Sequence, residues 1–218
     1  MSAAAAWAGQ RIIVSAGPTF EDIDPVRFIG NRSSGKMGFA LAAAAARRGA
    51  QVVLIAGPVA LATPDGVARV DVRSAAQMHA AVFAALPAQV YIGAAAVADY
   101  APLRIAPGKL KKSDGMLTLE LARTRDILAE MAVHAQRPRL VVGFAAETDH
   151  VEDYARGKLA NKKLDLIAAN RVGVAGSGFE SDENTLTVYW NGGEQVLGPA
   201  PKTELADGLL DLIVQRLA

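Results

Sequence analysis

The sequence predicts an α/β fold: a Rossmann-like, doubly wound, mostly parallel sheet with helices on both faces and a late antiparallel hairpin. Three observations predict it. Short apolar runs alternate with helix-patterned stretches from end to end. Most of these runs are apolar on both faces, as strands covered by helices on either side must be. Near the end, the alternating run 185–190 meets Asn191-Gly192-Gly193 and continues as 194–197, which reads as strand, turn and strand. The strands expected before that hairpin are 11–15 (RIIVS), 51–56 (QVVLIA), 67–72 (VARVDV), 89–94 (QVYIGA), 140–144 (LVVGF) and 164–169 (LDLIAA). The expected helices are 35–48, 75–86, 126–135, 150–161 and 203–217. One domain, 10–218, follows a flexible, Ala-rich segment at 1–9. In such a fold the ligand lies at the carboxyl ends of the strands.

Composition narrows the chemistry. At 218 residues and 51% hydrophobic, the chain can close a sizeable core. Lysine plus arginine total 23 against 22 acidic residues, a net charge of +1, so no global field draws nucleic acid or an anionic membrane. The count of zero cysteines excludes disulfides, thiolate metal ligands and a thioester on the protein. No run reaches the ~20 apolar residues of a membrane span. The start has no basic, apolar signal pattern, so the expected compartment is the cytoplasm. His79, His134 and His150 are scattered, with no partners at ligand spacing, and are assigned no metal or catalytic role.

The most informative stretch is 31–38, Asn31-Arg32-Ser33-Ser34-Gly35-Lys36-Met37-Gly38, at the start of an Ala-rich helix. Orphan N–H groups and the positive end of the helix dipole make such a start a seat for phosphate or carboxylate. Ser33 or Ser34 suits the N-cap, and Gly35 admits close approach of a ligand or neighbouring backbone. Between the first strand and this helix, 16–31 shows no G-x-G-x-x-G, so the tight glycine turn of a dinucleotide fold is missing. That loop supplies Arg27 and Asn31. Arg27 is either a fork for an anionic substrate or a partner of Asp22 and Asp24.

The strand end 93–100 (GAAAVADY) is small at Gly93, Ala94 and Ala95, leaving room for a flat ring or a ribose against the backbone. Asp99 then serves ribose hydroxyls, helps hold a divalent cation, or caps a turn. The stretch 103–115 carries Arg104, Lys109, Lys111 and Lys112 among prolines and glycines, as either a solvated loop or a lid that neutralises phosphates. Further on, Arg125, Asp126, Ile127 and Leu128 open a helix. Phe144 ends a strand, as core or as a stacking platform, and Lys158 and Lys162 share one helix face.

Five blocks in order, AGPTFEDIDPVRFIGNRSSGKMGFALA, GAAAVADY, KLKK, VGFAAET and KLANKKLDLIAAN, resemble phosphopantothenate–cysteine ligase, the synthetase half of the bacterial bifunctional coenzyme A biosynthesis protein. The resemblance covers nearly the whole chain. It implies a dimeric, Rossmann-like enzyme that uses CTP with Mg2+ to convert 4′-phosphopantothenate into an acyl-cytidylate, then lets the amine of L-cysteine displace CMP. It assigns Lys109 to the first step, Asn31 to the second and Arg27 to the same substrate end. Gly93, Ala94, Ala95, Asp99, Arg125 to Leu128, Phe144, Lys158 and Lys162 fall on the nucleotide side. The family's flavin-dependent decarboxylase half is absent from this sequence, which is either a stand-alone ligase or that half's fusion partner. Thr124-Arg125 stands where the family often has Asn-Pro, and Phe20 replaces a usual Arg. Two other readings compete: a non-catalytic nucleotide-binding module, and an NAD(P)-dependent short-chain reductase suggested by Tyr154 and Lys158 four apart.

Overall fold

The computed structural model describes residues 7–112, 115–172 and 182–217. The chain runs β1 (Arg11–Ala16), β2 (Phe20–Asp22), β3 (Phe28–Gly30), α1 (Lys36–Arg47), β4 (Gln51–Ala56), β5 (Val67–Asp71), α2 (Ala75–Ala84) and β6 (Val90–Gly93). It continues through β7 (Tyr100–Pro102), β8 (Leu121–Arg123), α3 (Ile127–Ala132), β9 (Leu140–Glu147), α4 (Val151–Asn161), β10 (Leu166–Arg171), β11 (Glu183–Trp190), β12 (Gly193–Pro201) and α5 (Lys202–Leu217).

Eight strands form the main sheet in the order β12-β11-β10-β9-β6-β1-β4-β5. From β5 to β10 the neighbours are parallel, whereas β11 and β12 join antiparallel to close that edge. Alternation along the strands divides the core. Ile12 and Val14 point to a layer shared with Leu41 of α1 and Leu209 of α5. Ile13 and Ile55 point to the other face, where Met78 of α2, Met131 of α3 and Leu159 of α4 cover them. Arg48, just past α1, binds Asp211 of α5 at 2.6 Å and locks the two helices on the first face together.

The predicted elements are all present with shifted ends. Helix α2 stops at Ala84, before Pro87, which cannot continue a helix. Helix α3 is six residues long, shorter than the stretch 126–135 expected. The hairpin is longer than expected, because β12 extends to Pro201. Two further hairpins, β2–β3 and β7–β8, lie in segments read from sequence as loops. The boundary of the packed domain also moves. Trp7, placed in the flexible segment 1–9, is completely buried in the cluster that α1 and α5 form against the sheet, where its large apolar ring is removed from water. Residues 1–6 lie outside the described residues.

Candidate functional site

Strands β1 and β6 are neighbours whose onward connections leave toward opposite edges, since β4 lies beyond β1 and β9 beyond β6. At such a switch point the loops diverge and leave a crevice above the carboxyl ends. Here it is a cleft of about 890 Å3. Its floor is Ser15 of β1 and Tyr91 of β6, whose hydroxyls stand 3.0 Å apart. Burial pushes the Tyr91 phenol well above its ordinary value, so it remains protonated and available as a hydrogen-bond group.

One wall is the 31–38 turn. Gly35, not Ser33 or Ser34, is the N-cap of α1, with φ of 75°, and no side chain caps the helix. The left-handed backbone there explains the substitution: serine would be strained where glycine is not. Ser33 Oγ instead accepts from Gly35 N at 3.3 Å, and both serines line the cleft. Asn31 lines it too, its amide donating to the Val97 carbonyl at 3.0 Å.

The opposite wall carries most of the nucleotide-side residues. Ala94 and Ala95 lie along it with Asp99, which is exposed to solvent. Gly93 has a use the sequence did not suggest. A Cβ there would stand 2.9 Å from Leu128 Cδ2, and one on its register partner Gly143 would stand 3.3 Å from Leu128 Cδ1. The room over Gly93 therefore seats Leu128, which holds the 125–128 strip against the sheet. Asp126 caps α3 by accepting from Ala129 N at 3.0 Å and pairs with Lys162 at 2.8 Å. Arg125 is drawn to Glu130, which also meets His79 Nε2 at 3.0 Å, a partner that the scattered histidine positions did not reveal. Phe144 is half-buried, both packed on the core and facing the cleft. Lys158 binds Glu147 at 2.7 Å. Tyr154, its supposed reductase partner, is exposed and is not part of the cleft wall.

Two expected residues are not brought to this wall. Arg27 forks onto Asp24, with Nε and a terminal nitrogen 3.1 and 2.6 Å from the same oxygen, and also donates to the Leu110 carbonyl at 3.0 Å. Lys109 is exposed on the β7–β8 connection beside it. Asp24 is buried, and Arg27's hydrogen bonds, followed by backbone donors, hold its carboxyl far below the ordinary carboxylate value. The same oxygen, Oδ2, also accepts from Leu110 N at 3.1 Å, so the lysine-bearing loop is tied to the β2–β3 turn. Conversely, Lys36, Asn170, Asn184 and Lys202 line the cleft without having been singled out as ligands. Lys36 belongs to the 31–38 stretch already read as an anion seat, and Lys202 carries a similar signal, a lysine just where a helix begins, a place that favours acidic residues.

Among the described residues, no group of three or more His, Cys, Asp and Glu is arranged to hold a metal. No described helix is long and apolar enough to cross a membrane.

Residues 7–217 match the protein family described as DNA/pantothenate metabolism flavoprotein C-terminal domain. Among curated relatives, the coenzyme A biosynthesis bifunctional protein CoaBC of Vibrio cholerae is 50% identical over 96% of this chain and 53% of its own length. That of Escherichia coli K12 is 52% identical over 94% and 52%. The chain thus spans about half the length of these relatives. A crystal structure of the C-terminal domain of a CoaBC superposes with a TM-score of 0.83 at 41% identity, covering 97% of each chain. The fold also recurs in the DNA/pantothenate metabolism flavoprotein from Streptococcus pneumoniae, with a TM-score of 0.81 at 24% identity. By sequence and by architecture, the chain belongs to the DNA/pantothenate metabolism flavoprotein C-terminal domain family.

Proposed function

We propose that this chain is the phosphopantothenate–cysteine ligase of coenzyme A biosynthesis. The carboxylate of 4′-phosphopantothenate attacks the α-phosphate of CTP, giving an acyl-cytidylate and pyrophosphate. The amine of L-cysteine then attacks the acyl carbon, forms the amide and releases CMP. The observation that carries this reading is the cleft at the β1/β6 switch point, which joins a phosphate-seating turn, Ser33-Ser34-Gly35, to lysines on three helices. Activating a carboxylate develops negative charge on phosphate oxygens, and N–H donors and ammonium groups aimed there lower the barrier without a general base or covalent enzyme intermediate. The similarity to CoaBC over nearly the whole chain supports the same substrates.

In this reading Asn31, fixed by Val97, contacts the acyl-cytidylate, and Lys109 neutralises the transferring phosphate when its loop closes over the cleft. Arg27 acts by holding that loop in place. Phe144 and the 125–128 strip face the base, and Asp99 takes the ribose or a Mg2+ ion. A hard cation held mainly by triphosphate oxygens fits a cleft whose described lining offers few carboxylates, Asp99 and Asp126, the latter already paired with Lys162. We place the enzyme in the cytoplasm as a homodimer, and as a natural partner of a flavin-dependent decarboxylase domain. Exposed Leu103, Ile105 and Leu117 on the β7–β8 ribbon support a protein-covered face there.

The test is direct. Purified protein supplied with CTP, Mg2+, 4′-phosphopantothenate and L-cysteine is expected to release pyrophosphate and CMP in equal amounts. CTP binding without pyrophosphate release would instead identify a nucleotide-binding module.

A further inference from the structure

Beyond β6 the stretch 94–99 runs along the cleft as small residues outside any named strand. Its backbone is held in two ways. As far as Ala96 it rides on the chain that leaves β1: Ala94 N donates to the Ser15 carbonyl at 3.0 Å, Ala96 N to the Gly17 carbonyl at 2.9 Å, and Thr19 N to the Ala96 carbonyl at 3.3 Å. Past Ala96, side chains take over. The Asn31 amide donates to the Val97 carbonyl, and the buried Thr19 hydroxyl accepts from Ala98 N at 3.0 Å. The last hold comes from Thr124, whose hydroxyl donates to the Ala98 carbonyl at 2.6 Å and whose N–H donates to the Asp99 carbonyl at 3.0 Å.

Thr124 lies between β8 and the Asp126 cap of α3, so it joins the 125–128 strip to the segment that carries Asp99. Ala98 is buried, and a carbonyl left there without a donor is costly. Asp99, one residue on, is exposed. Its carboxylate is therefore placed by its backbone, and the peptide group that enters Asp99 and the carbonyl that leaves it are the two that Thr124 holds. Threonine stands here where the resembling family often has asparagine. A hydroxyl and a carboxamide share one ability at such a position, donation to a carbonyl, and valine has the shape of threonine without it.

We propose that Thr124 is a positioning residue for the nucleotide: by holding the peptide between Ala98 and Asp99 it aims the Asp99 carboxylate into the cleft. This deepens the ligase reading and rests on it for the identity of the nucleotide. The Thr124 hydroxyl proton is committed to the Ala98 carbonyl, so its contribution runs through Asp99. Asp99 serves the ribose or the cation, parts of the complex held alike before and during the reaction. Its support thus shows in the affinity for CTP with Mg2+ and in KM, rather than in kcat.

CTP with Mg2+ is the probe, titrated calorimetrically into the intact chain, with pyrophosphate release assayed on the same proteins. Thr124→Val is expected to weaken CTP binding and raise the KM for CTP several-fold to about tenfold, the scale of one lost hydrogen bond, with kcat nearly unchanged. Thr124→Ser and Thr124→Asn, which keep a donor, should bind close to wild type. In an Asp99→Ala background Thr124→Val should weaken binding hardly further, because the carboxylate through which it acts is already gone. Should Thr124→Val fail to fold, Thr124→Ala makes the same comparison. Unchanged affinity in Thr124→Val with a native circular dichroism spectrum overturns the proposal. So do fully additive losses in the double variant, or a lower kcat with unaltered affinity, since either places the action of Thr124 elsewhere. Wild-type protein that binds CTP with this dependence on Thr124 yet releases no pyrophosphate would end the ligase reading and leave the positioning role standing. Wild-type protein that binds no CTP would end both.

Discussion

Lys109 and Asn31 show how differently two residues given roles in one reaction are held. Asn31 is on the cleft wall and fixed by a hydrogen bond. Lys109 is exposed on a loop whose neighbour, Leu110, is anchored through its backbone. Replacing Lys109 by Ala is therefore expected to reduce turnover by about 100-fold or more, the scale of a lost transition-state contact. The melting temperature should barely move, because an exposed side chain of this kind contributes within about 0.5 kcal/mol. A steady-state assay beside a thermal melt checks both, and a large drop in melting temperature would make the lysine structural. At this scale the sequence was legible where chemistry is local: the Ser-Ser-Gly turn, the lysines of α4 and Phe144 all reached the cleft. It was less legible where a neighbour distant in sequence decides. The glycine at 93 gave no sign that Leu128 would occupy its free side.

Between β2 and β3 the chain turns at Asp24, which gathers Val26 N, Arg27 N, the Arg27 guanidinium and Leu110 N on two oxygens. The β2–β3 hairpin and the lysine loop consequently behave as one unit, reinforced by Ala106 N donating to the Ile23 carbonyl at 2.9 Å. The sign of the pH effect follows from Asp24. Its carboxyl is depressed in the folded state, so its contribution is complete above the ordinary value of 3.8 and is lost as pH falls through the lower folded-state value. Asp24→Asn should thus be less stable than wild type at neutral pH, and the gap should close progressively below pH ~4. Urea unfolding across pH 2 to 7 reads the gap; a constant difference would mean that the charge is irrelevant. Both small hairpins were invisible in sequence because three-residue strands are too short to display a period. They are fixed instead by distant partners, such as Phe20 stacked on Phe28 with ring centroids 3.9 Å apart and Arg73 lying over both rings.

Over the whole molecule the strand–helix rhythm carried the topology, because each buried parallel strand shows as an uninterrupted apolar run that helices must cover. The sheet order, with its reversal at β1 and β6, then positions the cleft. What rhythm did not carry was the amino-terminal boundary: a tryptophan among alanines has no periodic context, yet Trp7 lies wholly within the α1/α5 layer. Trp7→Ala should cost about 3–5 kcal/mol, as deletion of a large buried ring does. Denaturant titration would measure it, and a loss below about 0.5 kcal/mol, typical of surface sites, would return residue 7 to a loose tail.

Three of the lysines around the cleft have a carboxylate from elsewhere in the chain as partner: Asp182 on Lys36, Glu147 on Lys158 and Asp126 on Lys162. A tethered group of this kind acts at an effective concentration in the millimolar range or above. Chloride or a small monocarboxylate gains too little per lysine to dislodge such built-in counter-ions, whereas a molecule bearing several phosphates engages more than one lysine at once. The cleft is in this way insulated from background cellular salts and responds to the number of charges an anion brings rather than to the mere presence of charge.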